Sequence, residues 1–386
     1  MSKNFDVIVL GVGSMGSSTC YYLAKQGYKI LGLEQFDIPH DQGSHAGQSR
    51  IIRKAYFEHS DYVPLLERAY ENWKKIEEET GAQIYFPTGL LYVGKPQDIL
   101  IRGVRESALK YAIHVESLSH LEMTARFPQF QIPEGYDVLL EPDAGFVTPE
   151  RAILLYVEQA IRHGASIHTK EKTISWTKAG ASIEVTTSKG IYSCKKLIIT
   201  AGAWAGSMIP GFSDHLQVTR QVIAWVNPAE WAPFEMGTLP CWMMDEATQS
   251  GMYYGFPILP AGKFGGPLGL KVALHYPGQA SNPDAVNRTT SVEDESHLIE
   301  ALHKFLPKGY SSTHVLKTCL YTNTPDENFV IDFLPGYNDQ VVVGAGFSGH
   351  GFKFVSVVGE MLADLSIKGK TQLPISFLNA QRFTNS

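Results

Sequence analysis

The pattern GVGSMG at residues 11–16 constrains this chain more than any other feature. It follows residues 5–10, FDVIVL, a nearly continuous apolar run rich in β-branched residues, as expected of a strand buried on both faces of a parallel sheet. From Ser14 to Gln26 the apolar residues Met15, Cys20, Tyr22, Leu23 and Ala24 fit a helix that Gly27 ends, and KILGLE (29–34) reads as a second strand. A β-α-β unit with glycines in its first turn is the frame of a dinucleotide site. Gly11 permits the tight turn, Gly13 lets backbone approach a pyrophosphate, and Gly16 allows close contact of helix and strand. Ser14 and Met15 open the helix, whose free N–H groups await phosphate oxygens. Glu34 closes the second strand, where a carboxylate accepts hydrogen bonds from a ribose diol. The motif alone does not separate FAD from NAD. Further glycine-rich turns at 201–206 and 344–351 suggest one large, extended cofactor, which favours FAD.

The same form returns later. QVVVGAGFSGHGFKFVSVVGEMLADL (340–365) is again buried strand, glycine turn and helix, and KLIIT (196–200) is another buried strand before a glycine turn. Between them lie helical spacing at 60–79, a hairpin pattern at 83–93, a helix at about 149–163, an antiparallel meander up to KLIIT, and strands and loops with large aromatics over 216–280. A nucleotide-binding sheet interrupted by insertions accounts for this order. We therefore expect a mixed α/β fold with two structural units. Residues 1–90, 145–215 and 320–386 would form a discontinuous FAD-binding domain, and 91–144 and 216–319 an inserted mixed-sheet substrate domain.

Hydrophobic residues make up 44% and charged residues 19%, a globular balance rather than a disordered one. The formal net charge of −6, with no long block of Lys or Arg, offers no footprint for nucleic acid or an anionic membrane. No segment approaches the roughly 18 apolar residues that span a bilayer, and the first apolar run is too short for a signal-peptide core. The expected location is the cytoplasm. Cys20, Cys194, Cys241 and Cys319 lie far apart, so neither a disulfide framework nor a C-x-x-C zinc site is expected, and no metal is assigned.

HDQGSHAGQSRIIRKAY (40–56) packs His40, His45, Arg50, Arg53 and Lys54 into a segment leaving the carboxyl end of the second strand, beside the nucleotide. Arg50 and Arg53, separated by two apolar residues, can face one site, and an arginine fork suits a small carboxylate. A solvated basic loop, or contact with cofactor phosphates, is the simpler reading of the spacing alone.

Here the likeness becomes specific. GVGSMG, GSHxGxSRIIRxAY, YYGFP (253–257), GLKVALHYPGQ (269–279), TCLYTNTPDENFVID (318–332) and GFSGHGFKF (346–354) occur in order over nearly the whole chain, which resembles the monomeric sarcosine oxidase and N-methyltryptophan oxidase family. The resemblance implies a p-hydroxybenzoate-hydroxylase-like FAD fold and one FAD per chain, linked through its 8α-methyl group to the sulfur of Cys319. It implies that Arg53 and Lys353 hold the substrate carboxylate, and that Lys271 activates dioxygen. Tyr254, His275 and Tyr321 would shape the amine pocket, with Arg50 near the flavin. Ser44, His45, Ile51, Gly346 and Gly349, with Lys353, would border the cofactor. By residue type alone, Cys319 reads as a small core residue, Lys271 as a polar position on a strand and His275 as a satisfied structural histidine.

The implied reaction is oxidation of the secondary amine of a small, sarcosine-like N-alkyl amino acid to an imine, with dioxygen reduced to hydrogen peroxide. A monomer is expected. Alternatives are N-methyltryptophan or a pipecolate-like cyclic substrate, a flavin dehydrogenase with another acceptor, a non-catalytic nucleotide-binding protein, and an NAD-linked dehydrogenase. Two features set the chain apart from the family pattern: Ala46 stands where a second histidine follows His45, and 257–271 is longer, so the loop over the pocket is expected to differ. Trp242, Met243 and Met244 are candidates for lining the pocket, although such a run is more often plain core.

Overall fold

The computed structural model describes residues 4–246, 251–275 and 278–383. The first apolar run is strand β1 (Asn4–Leu10), and its period of two separates its side chains between two cores. Val7 and Val9 join the core beneath helix α1 (Ser14–Lys25), while Ile8 and Leu10 enter the core on the opposite face. Strand β2 (Ile30–Leu33) pairs parallel to β1, and Ser166–His168 extends the sheet in the same direction. On the other side β1 pairs in parallel with Ile191–Ile199. The start of that strand closes the expected meander with Ser182–Thr187 and Thr173–Ala179, and its end pairs in parallel with Val341–Ala345. Helix α1 packs against the helices Pro149–Arg162 and Val355–Lys368. The Ser18 hydroxyl donates to the Val355 carbonyl at 2.8 Å, a contact close enough that a side chain at Gly359 would strike Ser18.

A second, nine-stranded mixed sheet holds Leu90–Gly94, Glu116–Leu118, Asp137–Glu141, Gln217–Asn227, Cys241–Asp245, Met252–Phe256, Leu270–His275, Gln279–Ala280 and Ser312–Asn323. One face packs against the helix Val292–Phe305 through Ala224, Val226, Leu270 and Val272. The other carries Ile223, Trp225, Ala273, Cys319 and Tyr321. Cross-strand register places Met243 beside Tyr254 and Tyr254 beside Ala273. By alternation, Lys271 and His275 share the face of Ala273.

The hairpin expected over 83–93 does not form. Tyr85–Phe86 pairs with Gly145–Val147 in a small sheet that also holds Arg50–Ile52, whereas Leu90–Gly94 lies between Asp137–Glu141 and Cys241–Asp245 in the large one. Gly89, at φ +78°, turns the chain from one sheet to the other. All five residues of Leu90–Gly94 are buried, and such a strand takes neighbours on both edges. No helix among the described residues is long and apolar enough to cross a membrane.

Candidate active site

The first turn of the parallel sheet shows why each glycine is there. Gly11 adopts φ +89°, and a Cβ on Gly16 would lie 1.8 Å from the Gly11 carbonyl oxygen. At Gly13 a Cβ would meet only His45 Nδ1, at 3.9 Å, so this glycine opens onto space rather than packing. Helix α1 begins there with no side-chain cap and no acidic residue in its first turn, which leaves its N–H groups and positive end for an anion. The Glu34 carboxylate accepts from the backbone N–H groups of Val12 and Phe36, both at 3.0 Å. Burial pushes its pKa up and these backbone donors pull it down, with a net rise. His45 is buried, and its Nε2 has no hydrogen-bond partner among the described residues. Burial holds this imidazole neutral, at about 3. An open glycine, an uncapped helix and an orphaned ring nitrogen at one place fit a bound dinucleotide.

One cavity runs from that turn to the second sheet and encloses about 1660 Å³ of non-atom space, its open mouth included. Of the residues singled out in the sequence, Gly11, Gly13, Ser14, Met15, Glu34, Ser44, His45, Arg50, Ile51, Arg53, Tyr254, His275, Tyr321, Gly346, Gly349 and Lys353 all line it. Gly16, Lys271 and Cys319 do not line it. Within the Trp-Met-Met run only Met243 reaches the wall; alternation turns Trp242 and Met244 into the core beneath the Val292–Phe305 helix. Residues 257–271 do not line the cavity either, contrary to the expected loop over the pocket. Phe264 holds this segment against Phe86 and Phe146, and Gln48 Nε2 donates to the Gly265 carbonyl at 2.5 Å. This segment therefore packs on the outer side of the loop at 47–48.

At the far end two cations are buried together. Arg53 Nη2 donates to both oxygens of Glu58, at 2.5 and 2.7 Å, and Nη1 donates to the Ala55 carbonyl at 3.0 Å. Burial opposes the charge on Arg53, but the Glu58 carboxylate outweighs it and holds the guanidinium protonated. Burial likewise opposes the charge on Glu58, yet Arg53, His350 and Lys353 hold it down at about 2. Lys353 Nζ donates to the His350 carbonyl at 2.7 Å; burial first, and the Arg53 charge second, lower its pKa to about 7. The wall beside them is aromatic. His275 Nδ1 lies 3.3 Å from the Tyr321 hydroxyl, and burial keeps that imidazole neutral, at about 3. Glycine at 349 is required because a Cβ would sit 2.3 Å from the Tyr321 ring.

Behind the loop at 44–50, Lys271 is 2% exposed. Its Nζ donates to the carbonyls of Gly47 and Ser49 at 2.6 and 2.7 Å, and lies 4.3 Å from the Phe256 ring centroid. Burial, then the positive charge of Arg50, push its pKa well below the lysine range. Arg50 braces the same loop by donating to the carbonyls of Ser44, Ala46 and Ser49. Cys319 is buried on the same sheet face as Tyr321; burial raises its thiol pKa, and Arg50 and Lys271 act against the rise.

Glu150 holds the loop from below, accepting from the N–H groups of Gly47 and Gln48 at 2.7 and 3.1 Å. Burial tends to raise its pKa, but these donors outweigh burial and keep it depressed. Its stabilisation is thus present above the ordinary carboxylate range and lost as the pH falls through the folded value. Glu150→Gln is expected to cost about 1–3 kcal/mol, read as a lower urea midpoint at neutral pH. The gap from wild type should close in acid.

Residue reading overlooked Glu58, Tyr56 and His350. The signal for the last was present, a histidine between two glycines three residues before the buried lysine.

Comparison with known proteins accords with this geometry. The chain is 39% identical to the monomeric sarcosine oxidase of Bacillus sp. (strain NS-129), over 99% of this chain and 98% of that protein. It is 31% identical to the N-methyl-L-tryptophan oxidase of Yersinia pestis (strain Pestoides F), over 98% of this chain and 100% of that one. The fold superimposes on NikD, described as an unusual amino acid oxidase essential for nikkomycin biosynthesis, with a TM-score of 0.85, 22% identity and 97% of each chain covered. The family model described as FAD dependent oxidoreductase matches residues 6–365, and the chain belongs to that family.

Proposed function

We propose that this oxidoreductase acts on the secondary amine of a small N-methyl amino acid such as sarcosine, using FAD and dioxygen. The observation that carries this reading is the pair of buried cations, Arg53 and Lys353, on the same cavity as the nucleotide turn and the wall of Met243, Tyr254, His275 and Tyr321. A buried cation pair with hydrogen-bond donors facing a cavity recognises a carboxylate. The neighbouring aromatic wall takes the N-methyl end.

The residues of the parallel-sheet unit, with Gly11, Gly13, Ser14, Met15, Glu34, Ser44, His45 and Ile51, would hold FAD, and the second sheet would hold the amino acid. Bound FAD supplies a two-electron acceptor for the carbon next to the amine and returns those electrons to dioxygen as hydrogen peroxide. Lys353 and Arg53 fix the carboxylate and thereby the distance and direction of the amine. His275, held neutral by burial, can hydrogen-bond the amine and so favour the neutral form that oxidation requires. The product imine is hydrolysed by water; from sarcosine, the products are glycine and formaldehyde. Lys271 holds its Nζ as a fixed donor behind the loop, and this group is assigned to the step in which dioxygen gains negative charge.

The reading extends to a thioether between Cys319 and the 8α-methyl group of the flavin. It is supported by the place of Cys319 on the Tyr321 face of the second sheet. Acid denaturation of the purified protein should leave the yellow chromophore on the polypeptide, with its mass on the Cys319 peptide. Cys319→Ser should release it completely. Free flavin from the wild type would remove the linkage from the account while leaving the oxidase reading in place.

A further inference from the structure

His350 touches the surroundings of both cations. Its ring is buried and stacked on Phe329, with 4.7 Å between centroids, and its Nε2 lies 3.0 Å from the Glu327 carbonyl oxygen. A carbonyl only accepts, so Nε2 carries the proton and Nδ1 is left as an acceptor. The Tyr56 hydroxyl, 2.5 Å from Nδ1, therefore donates to it. That hydrogen bond fixes a ring against which both cations lie: the Arg53 guanidinium carbon is 4.3 Å from the Tyr56 centroid and Lys353 Nζ is 5.2 Å from it. The backbone carbonyl of His350 in turn accepts from Lys353 Nζ. Two buried positive charges repel each other, and the aromatic ring that both approach offsets part of that repulsion.

We propose that His350 is a positioning residue that, through Tyr56, holds Arg53 and Lys353 as a paired site for a carboxylate. The inference rests on the reading of those two cations as the substrate anchor. His350 itself touches no reacting atom in this scheme; it determines where the charges stand.

The test is calorimetric titration of the holoprotein with acetate, a probe that binds without reacting. His350→Phe keeps a ring to stack on Phe329 and loses the acceptor, and should weaken acetate about tenfold, the worth of one hydrogen bond. His350→Asn, whose side-chain oxygen falls near the place of Nδ1, should restore most of that affinity. Tyr56→Phe should lose the same factor as His350→Phe, and the double variant should lose no more than either single one. In turnover, KM for an N-methyl amino acid should rise by the same factor while kcat falls less.

Acetate binding as tight in His350→Phe as in wild type would overturn the proposal, as would losses that add in the double variant. If His350→Phe does not fold, Tyr56→Phe and His350→Asn decide the matter by the same readings. Wild-type holoprotein that binds neither acetate nor any N-methyl amino acid would instead remove the reading of Arg53 and Lys353, and the part of His350 with it.

Discussion

Lys353→Met is expected to raise KM for an N-methyl amino acid by about thirtyfold or more, the equivalent of about 2–5 kcal/mol for removing one partner of a buried charge pair. The larger effect is expected at Lys353 because Arg53 already gives Nη2 to both oxygens of Glu58 and Nη1 to the Ala55 carbonyl. Among the described residues Lys353 Nζ donates to the His350 carbonyl alone, which leaves donors for the cavity. Its charge also predicts a pH dependence. Burial and Arg53 place its pKa at about 7, and an anion binds the protonated form. The dissociation constant of acetate should thus be flat below that pH and rise roughly tenfold per unit above it. In Lys353→Met the alkaline weakening should vanish. Calorimetry over a pH series checks both statements, and an unchanged profile in the variant would assign the titration to another group.

Lys271→Met should slow the reaction of reduced enzyme with dioxygen by about a hundredfold to a thousandfold, the range seen when one preorganised group facing developing negative charge is removed. Anaerobic bleaching by the amine should slow far less, because Lys271 does not line the cavity that holds Arg53 and Lys353. Stopped-flow mixing separates the two halves of the cycle. In the structure Lys271 also has a tethering task, since its Nζ donates to the buried carbonyls of Gly47 and Ser49. A variant that melts lower but reoxidises at the wild-type rate would reduce Lys271 to a tether for the loop.

The nucleotide turn was legible because its causes are local. Spacing, alternation and the glycines at 11, 13 and 16 each act within a few residues, and β1, α1 and β2 stand where those patterns place them. The hairpin at 83–93 failed for the opposite reason. Its two strands are sorted by partners 43 to 151 residues away, and turn residues between them carry no record of that pairing. The same limit applies in the site. Arg53 was legible as a candidate to hold a small carboxylate, but nothing in its spacing showed that Glu58 would already pair with it. Alternation alone could have singled out Met243 from its neighbours once a cavity face was known. Cys319 and Lys271 rest on the family resemblance, because a cysteine and a lysine on strands are unremarkable by residue type.

The most direct test of the central claim is an anaerobic titration of the purified holoprotein with sarcosine and with N-methyltryptophan, followed by admission of air. We expect the yellow absorbance to bleach with one equivalent of the small amine, and to return in air with one equivalent each of hydrogen peroxide and formaldehyde. Absorbance that neither amine bleaches would contradict the assignment of this cavity to N-methyl amino acid oxidation.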